Sequence, residues 1–262
     1  MIVDNLENNR MVFAPIQQAL TQGNMNEARV LLEKSEEAKK LTFYPLFDAI
    51  LLHDSELVYW ERAISSLSKF PACTERLFAL DRAISLSRSG GDDIRVRSFL
   101  KLAESIAGEI GDSKQHLQYL AMYANQLYLD GYLDRGKELL EDVIIQAVSE
   151  EHWLLVVSQA TILSGVLLQK QDWIGAANLS VIMEEAATKR ENWIGVACAI
   201  MTRASAWFAQ GKEEASIRLL LGMGRKFHEK GFVAALHLIK ARLAELRALL
   251  GEERFNTLCE QV

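Results

Sequence analysis

The segment Glu-His-Trp-Leu-Leu-Val-Val at residues 151–157 aligns with Glu-Asn-Trp-Ile-Gly-Val-Ala at residues 191–197, which lies 40 residues later. A third copy, Lys-Gly-Phe-Val-Ala-Ala at residues 230–235, has Phe232 in the place of the tryptophan. An aromatic residue at the start of each unit is what stacked layers need to close one layer against the next. The recurrence predicts a repeat protein in which each unit packs on its neighbours.

A second landmark follows the first after about twenty residues and marks the turn inside each unit. It occurs at residues 131–136, 171–176 and 211–216, and the segment 23–28 has the same form. Each copy starts with a glycine or a polar residue, which would end one helix, and has a small residue one turn into the next helix. The small residues are Gly136, Ala176, Ser216 and Ala28. We expect helix axes to approach closely at these residues.

Turn-forming residues are rare in this chain. It has only 3 prolines and 15 glycines in 262 residues, which favours long helices joined by short turns over strands and hairpins. Apolar periodicity predicts helices near 8–22, 25–39, 43–53, 56–69, 74–88, 93–110, 114–129, 132–149, 152–170, 173–189, 192–209, 212–229, 231–249 and 251–260. Ser55 and Thr74 are predicted N-caps, and the turn at residues 89–93 has two glycines followed by two aspartates.

These patterns resemble those of the tetratricopeptide-repeat (TPR) family, whose unit is a pair of antiparallel helices with small residues where the helices cross. Residues 23–28 match the family's turn best. Two further stretches follow its spacing of apolar and small residues: Leu120, Tyr123, Ala124, Leu127, Gly131, Gly136, Leu140 and Val143, then Ala160, Leu163, Ser164, Leu167, Ala176, Ser180 and Met183. The period departs from the family's 34 residues, and the consensus proline is missing, which implies longer helices and an atypical superhelix.

The resemblance implies an all-α, right-handed superhelical solenoid of antiparallel helix pairs. We expect a single domain over residues 1–262, with irregular hairpins at 1–71, regular repeats at 72–230 and capping helices at 231–262. In such a stack the first helix of each pair lines a concave groove that binds a partner protein.

The family's groove positions can be transferred to three helices of this chain. They are Gln118, Met122, Asn125 and Tyr128, then Ser158, Ile162, Gly165 and Gln169, then Cys198, Thr202, Ser205 and Phe208. The mixture of amide, hydroxyl, methionine and aromatic groups has few fixed charges and suits a partly apolar peptide or helix. The alternative for each residue is simple packing between repeats.

Charge and cysteine content exclude several classes of protein. A net charge of −6 without a basic block argues against nucleic-acid binding, although a local basic face around Arg225, Lys226 and Lys230 stays open. The three cysteines are far apart, as in a reducing compartment. Acidic residues near the start, Asp4 and Glu7, do not fit a signal peptide, and no apolar run is long enough for a membrane span. We therefore expect a cytoplasmic protein.

Motifs for catalysis or cofactor binding are missing from the sequence. None of the five histidines has a partner at metal-ligand spacing. The pair His53-Asp54 is expected to cap a turn, and His228 and His237 to be solvated. Gly222-Met223-Gly224 lacks the third glycine of a dinucleotide motif and is better explained by helix packing. Cys198 lies in an apolar run, and the acidic pairs 92–93 and 184–185 suit helix starts or solvated faces. We predict no enzyme activity, no metal and no cofactor.

The remaining aromatic and apolar residues leave two points open. Trp153, Trp173, Trp193 and Trp207 recur at matched places and are expected to pack between repeats. The helix from Phe232 to Leu250 is apolar on more than one face, so residues 251–255 would fold back over it as a cap, or a second copy would cover it in a homodimer.

The sequence patterns and the resemblance to the TPR family are consistent with two binding functions. The first is an adaptor or scaffold for a protein partner. The alternative is a regulatory module that senses a small ligand or peptide by a change of superhelix curvature.

Overall fold

A computed structural model describes residues 4–260 of the chain, and these residues form helices and turns with no strand. They contain one 3-10 helix, Ala38–Lys40, and fourteen α-helices. The α-helices are α1 (Leu6–Thr21), α2 (Met25–Lys34), α3 (Tyr44–Leu52), α4 (Leu57–Leu67), α5 (Thr74–Ser89), α6 (Asp93–Ile110), α7 (Ser113–Leu129), α8 (Leu133–Ser149), α9 (Trp153–Gln169), α10 (Trp173–Lys189), α11 (Trp193–Ala209), α12 (Glu213–Glu229), α13 (Val233–Leu250) and α14 (Glu252–Glu260).

Most predicted helices agree with the structure to within two residues, and the all-α prediction is confirmed. The exception is the predicted helix at 25–39, because α2 ends at Lys34. The backbone of Ser35 is extended there, and its hydroxyl accepts a hydrogen bond from the amide of Ala38 at 3.1 Å. This bond starts the separate 3-10 helix.

The predicted N-caps Ser55 and Thr74 are wrong. Glu56 precedes α4, and Thr74 is already the first residue of α5, where its hydroxyl lies 3.4 Å from the carboxylate of Glu75. Side-chain caps occur instead at residues whose short acceptor group reaches the amide three residues later. They are Asn5, Asp92, Asp112, Asp172 and Asn192, with acceptor distances of 2.8, 3.0, 2.9, 2.9 and 3.0 Å.

The helices end in turns with a left-handed residue, which recurs along the array. Between successive helices, positive φ angles occur at Gly23, Gly91, Gly111, Gly131, Glu151, Gln171, Glu191, Gly211 and Gly231. In most of these turns the next amide donates to the carbonyl five residues earlier, as from Asn192 to Ala187 at 2.9 Å. This bond gives a hydrogen-bond partner to a carbonyl group at the helix end that has none within the helix.

The chain divides into two compact units, Met1–Tyr132 and Leu133–Val262. In the first unit, α1 to α7 pack in chain order around a core of large side chains. Its fully buried members include Phe13, Leu32, Trp60, Leu80 and Leu100.

In the second unit each helix from α8 to α13 packs on the next one along the chain, and α11 also contacts α9 and α13. The predicted small residues Gly136, Ala176 and Ser216 are buried, as expected for helices that approach closely. The Ser216 hydroxyl donates to the Ala204 carbonyl at 2.8 Å and so joins α12 to α11.

The C-terminal end of the second unit carries the short helix α14. After Gly251 the chain turns back, and α14 packs on α12 and α13. Arg254 of α14 binds Glu213 at the start of α12 with a distance of 2.6 Å. Leu249 stays 68% exposed. The homodimer remains a prediction.

Two smaller expectations concern glycine packing and membranes. A Cβ atom on Gly224 would lie at an ordinary van der Waals distance, 3.5 Å, from the Ile239 side chain of α13, whereas Gly222 has open space. Within residues 4–260, every helix is too short or too polar to cross a lipid bilayer.

Candidate functional site

Helices α9 and α11 are unusual because their solvent-exposed sides carry no unpaired charge. The α9 sequence, residues 153–169, has no charged side chain, and α11 has only Arg203. Surface helices normally present charged residues to water. The two helices contact each other in the second unit. We call their exposed sides together the neutral face.

The single charge on these helices is compensated. The Arg203 guanidinium donates to the Glu184 carboxylate of α10 at 2.7 Å and to the Ser180 hydroxyl at 3.0 Å. Its side chain is only 15% exposed. Arg203 therefore ties α11 to α10 and adds little charge to the neutral face.

On α9 the structure places the predicted groove residues Ser158, Ile162, Gly165 and Gln169 on the exposed side. Leu154, one turn before Ser158, extends the row and is 66% exposed. The Ser158 hydroxyl donates to the carbonyl of Leu155 at 3.0 Å, which satisfies its hydrogen on its own helix. The α9 part of the neutral face is therefore mainly apolar or small.

On α11 the predicted residues Cys198, Thr202, Ser205 and Phe208 are half-buried, and Ile194 at the start of the row is 52% exposed. The Ser205 hydroxyl donates to the Met201 carbonyl at 2.7 Å. Burial raises the pKa of the Cys198 thiol. A thiol that stays protonated at neutral pH is a poor nucleophile.

The predicted groove residues on α7 belong to the first unit. Gln118 is exposed, whereas Met122, Asn125 and Tyr128 are half-buried. Met122 packs against the core of its own unit, which is the alternative that the sequence left open for each of these residues.

Trp153 and Trp193 make ring contacts at the starts of their helices. Trp193 stacks on Phe232, which confirms the expected contact between successive units at this pair. The Lys189 ammonium lies 3.9 Å from the ring centroid of Trp153, a cation–π contact between the end of α10 and the start of α9. Trp173 and Trp207 are half-buried.

Groups for metal binding do not converge in the part of the chain that the structure describes, since no cluster of three or more histidine, cysteine, aspartate or glutamate side chains occurs there. His228 and His237 are exposed, as expected. His53 is the C-cap residue of α3, and the Asp54 carbonyl accepts from the Trp60 indole at 3.0 Å, so the pair completes a turn.

The first unit also has an apolar cleft that no motif or spacing in the sequence indicates. It has a volume of about 510 Å³ and lies between α1, α3 and α5. Its aromatic residues come from parts of the chain that are far apart, and residues 40–71 lack the regular repeat pattern. We call it the aromatic cleft.

No protein-family model matches the sequence, and no curated protein matches it significantly. Solved structures do match. A protein of Podosopora anserina described as a kinesin light chain with nearly identical TPR-like repeats is 13% identical, over 94% of this chain and 99% of that chain, with a TM-score of 0.52. A signal transduction ATPase of Pyrococcus horikoshii with a tetratricopeptide repeat sensor is 12% identical, over 90% of this chain and 39% of that chain, with a TM-score of 0.59.

At these identities the likeness concerns the fold alone. It agrees with the helices packed in chain order, the small residues at the helix contacts and the aromatic contact between successive units. The chain has the fold of the TPR-like helical repeat proteins.

Proposed function

We propose that this protein is a non-enzymatic adaptor that binds an uncharged, partly apolar segment of a partner protein on the neutral face. The observation that carries the proposal is the lack of unpaired charge on the exposed sides of α9 and α11. Exposed apolar patches on folded proteins mark surfaces that bind a partner more often than charged surfaces do.

The chemistry of the neutral face selects its partner. Leu154 and Ile162 of α9 and Ile194 of α11 offer apolar contacts. Thr202 of α11 offers a hydroxyl group. A charged partner side chain would lose its hydration here without gaining an ion pair, which is costly. The partner segment should therefore be apolar or uncharged where it contacts α9 and α11.

The test is a selection from a phage-displayed random peptide library on the purified full chain, followed by affinity measurements with the selected peptides. The deciding variant is Ile162→Glu, because the Ile162 side chain is 38% exposed on α9. Ile182→Glu is the matched control, since Ile182 is the same residue type, 40% exposed, on α10.

We expect selected peptides rich in apolar residues, and a loss of affinity of at least about tenfold in Ile162→Glu with little change in Ile182→Glu. Circular dichroism should show the same helix content in both variants. A library that yields no binding peptide, or equal binding by the two variants, would overturn the proposal.

A further inference from the structure

Helices α12 and α13 form the two walls of an open groove near the C-terminal end of the second unit. The residues that line it recur on each helix at spacings of three and four, so they belong to one face of that helix. They include Leu221, Gly224 and Arg225 of α12 and Leu236, Lys240 and Leu243 of α13. We call this surface the terminal groove.

Helix α14 covers the terminal groove at one end only. It packs on α12 and α13, and its Arg254 binds Glu213, the first residue of α12. Phe255 of α14 lines the groove at this end. The stretch beside Gly224, nearer the end of α12, is lined by α12 and α13 alone. That stretch is open to a partner.

The open stretch has the length of a short helix. The described part of α14 has 9 residues, whereas the alternate helices before it, α8, α10 and α12, have 17 each. At 1.5 Å per residue, α14 is about 12 Å shorter than these helices. A helix of about two turns from another protein would therefore fit beyond its end.

The floor of the open stretch is apolar and accessible. The side chains of Leu221, Leu236 and Leu243 are partly exposed. Gly224 deepens the groove because it has no side chain, and a Cβ atom there would lie 3.5 Å from the Ile239 side chain and 3.9 Å from that of Leu236. Helices that dock in grooves present apolar residues at spacings of three and four, which suits such a floor.

The rim of the open stretch is basic. Arg225 of α12 and Lys240 of α13 are exposed, one on each wall. Within residues 4–260, neither of them forms an ion pair, whereas Arg247 farther along α13 pairs with Glu252 of α14. The helix dipole favours a cation in the last turn of a helix, but Lys240 lies in the interior of α13. Two positive charges thus stay uncompensated beside an apolar floor.

This combination selects one kind of occupant. Carboxylates that flank the apolar stripe of a helix would pair with Arg225 and Lys240 while the stripe covers the leucines. A second copy of this chain, packed by twofold symmetry, would bring the same positive charges together. A nucleic-acid backbone would pair with the two cations but would not bury the leucine floor.

We propose that the terminal groove binds an acidic amphipathic helix of another protein, with its apolar stripe on the leucine floor and its carboxylates beside Arg225 and Lys240. The groove shares no residue with the neutral face and does not depend on the function proposed for α9 and α11.

The experiment starts with a phage-displayed library of helical peptides about ten residues long, which exceeds the about two turns that fit. Every third or fourth position is apolar, and each other position is glutamate, glutamine or lysine. Selection on the full chain should enrich glutamate. Fluorescence anisotropy then measures affinity, and the glutamine version of a selected peptide should bind at least about tenfold more weakly.

Two glycine variants test the location. Gly224→Leu fills the groove, and Gly222→Leu is the matched control, because Gly222 lies on the same helix and a Cβ atom there meets open space. Leucine is more favourable than glycine in a helix, so both variants should fold. Affinity for the acidic peptide should fall at least about tenfold in Gly224→Leu and stay unchanged in Gly222→Leu.

A charge-reversal variant tests the chemistry of the rim. In Arg225→Glu/Lys240→Glu, two exposed residues change sign, so the variant should bind the lysine version of the selected peptide more tightly than the acidic one. Ile162→Glu, on the neutral face, should bind the acidic peptide like the wild type. A loss of binding in Ile162→Glu would place the peptide on the neutral face and overturn the terminal groove as its site.

Other outcomes also decide the question. The proposal is overturned if selection does not enrich glutamate, if the two glycine variants bind equally, or if the charge-reversal variant still prefers the acidic peptide. Sedimentation equilibrium that shows a dimer of the full chain, dissociated by Gly224→Leu, would identify a second copy as the occupant instead. Binding of a DNA or RNA duplex that is lost in the charge-reversal variant would identify a nucleic acid instead.

Discussion

The indole ring of Trp193 stacks on the phenyl ring of Phe232, with centroids 4.5 Å apart and planes 12° from parallel. Trp193 is the first residue of α11, and Phe232 directly precedes α13. Phe227 at the end of α12 meets Phe232 edge-on at 6.2 Å. One aromatic cluster thus joins three helices of successive repeats, so its rings should contribute to the stability of the second unit.

Phe232→Ala should lower the free energy of unfolding by about 2 kcal/mol, because it removes both ring contacts of a half-buried side chain. Phe232→Trp should keep most of the stability, since tryptophan occupies the same place at residues 153 and 193. Urea denaturation followed by circular dichroism measures both. Val233→Ala is the control, because Val233 is 61% exposed, and it should cost less than about 0.5 kcal/mol. An equal effect at Val233 would contradict the role of the aromatic cluster.

Ser216→Leu should destabilise the second unit by about 3 kcal/mol, because the larger side chain has no space at the α11–α12 contact and the hydrogen bond to Ala204 is lost. Its neighbour Ala215 is exposed. Ala215→Leu should therefore change the free energy of unfolding by less than about 0.5 kcal/mol. The helix crossing is misassigned if both variants unfold at the same urea concentration.

The left-handed residue of the turns is a glycine in most cases, but it is Glu151, Gln171 or Glu191 in three successive turns. A Cβ atom on Gly211 would meet no atom within 4 Å, so only its φ of 76° opposes a side chain. Gly211→Ala should cost about 1 kcal/mol. Glu191→Gly, at φ 52°, should be neutral or stabilise by up to about 1 kcal/mol, because relief of the left-handed strain is offset by extra freedom in the unfolded chain. Chemical denaturation compares them, and a stabilising Gly211→Ala would be inconsistent with the backbone geometry.

The Arg10–Glu75 pair should make stability depend on pH in the acid range. The pKa of Glu75 is lower in the folded protein than in the unfolded chain, so its contribution is complete above the ordinary glutamate pKa of about 4.3 and is lost as the pH falls through the folded-state value. The pair is partly exposed, so the contribution is at most about 1 kcal/mol. Glu75→Gln should therefore be less stable than the wild type at neutral pH, and the difference should shrink in acid. Denaturation curves at several pH values measure this difference, and a constant difference would argue against the pair.

Much of the helical architecture could be predicted because its signals are local in sequence. The glycines at 91 and 111 bound α6, and the repeated segments at 171–176 and 191–197 bound α10, so the predicted ranges of both helices agree with the structure. The caps were harder to predict. Serine, threonine, aspartate and asparagine are all good cap residues, and only the backbone geometry decides that Asp172 caps a helix while Thr74 lies inside one.

The candidate sites show the limit of sequence reasoning more clearly. The resemblance to the TPR family assigns Ser158 and Ile162 to the groove, and both side chains are exposed on α9. Burial of Met122 depends on packing within its unit, which periodicity does not specify. The aromatic cleft is lined by Phe13, Phe47 and Phe78, which come from three different helices. No spacing along the chain indicates that these three residues lie close together.

The neutral face is tested most directly by NMR of the isoleucine methyl groups, with a peptide taken from the library selection. Ile162 and Ile194 lie on α9 and α11, whereas Ile174 and Ile182 lie on α10, and all four are 38–70% exposed. Addition of the peptide should shift the methyl signals of Ile162 and Ile194 and leave those of Ile174 and Ile182 in place. Shifts confined to Ile174 and Ile182 would contradict partner binding on α9 and α11.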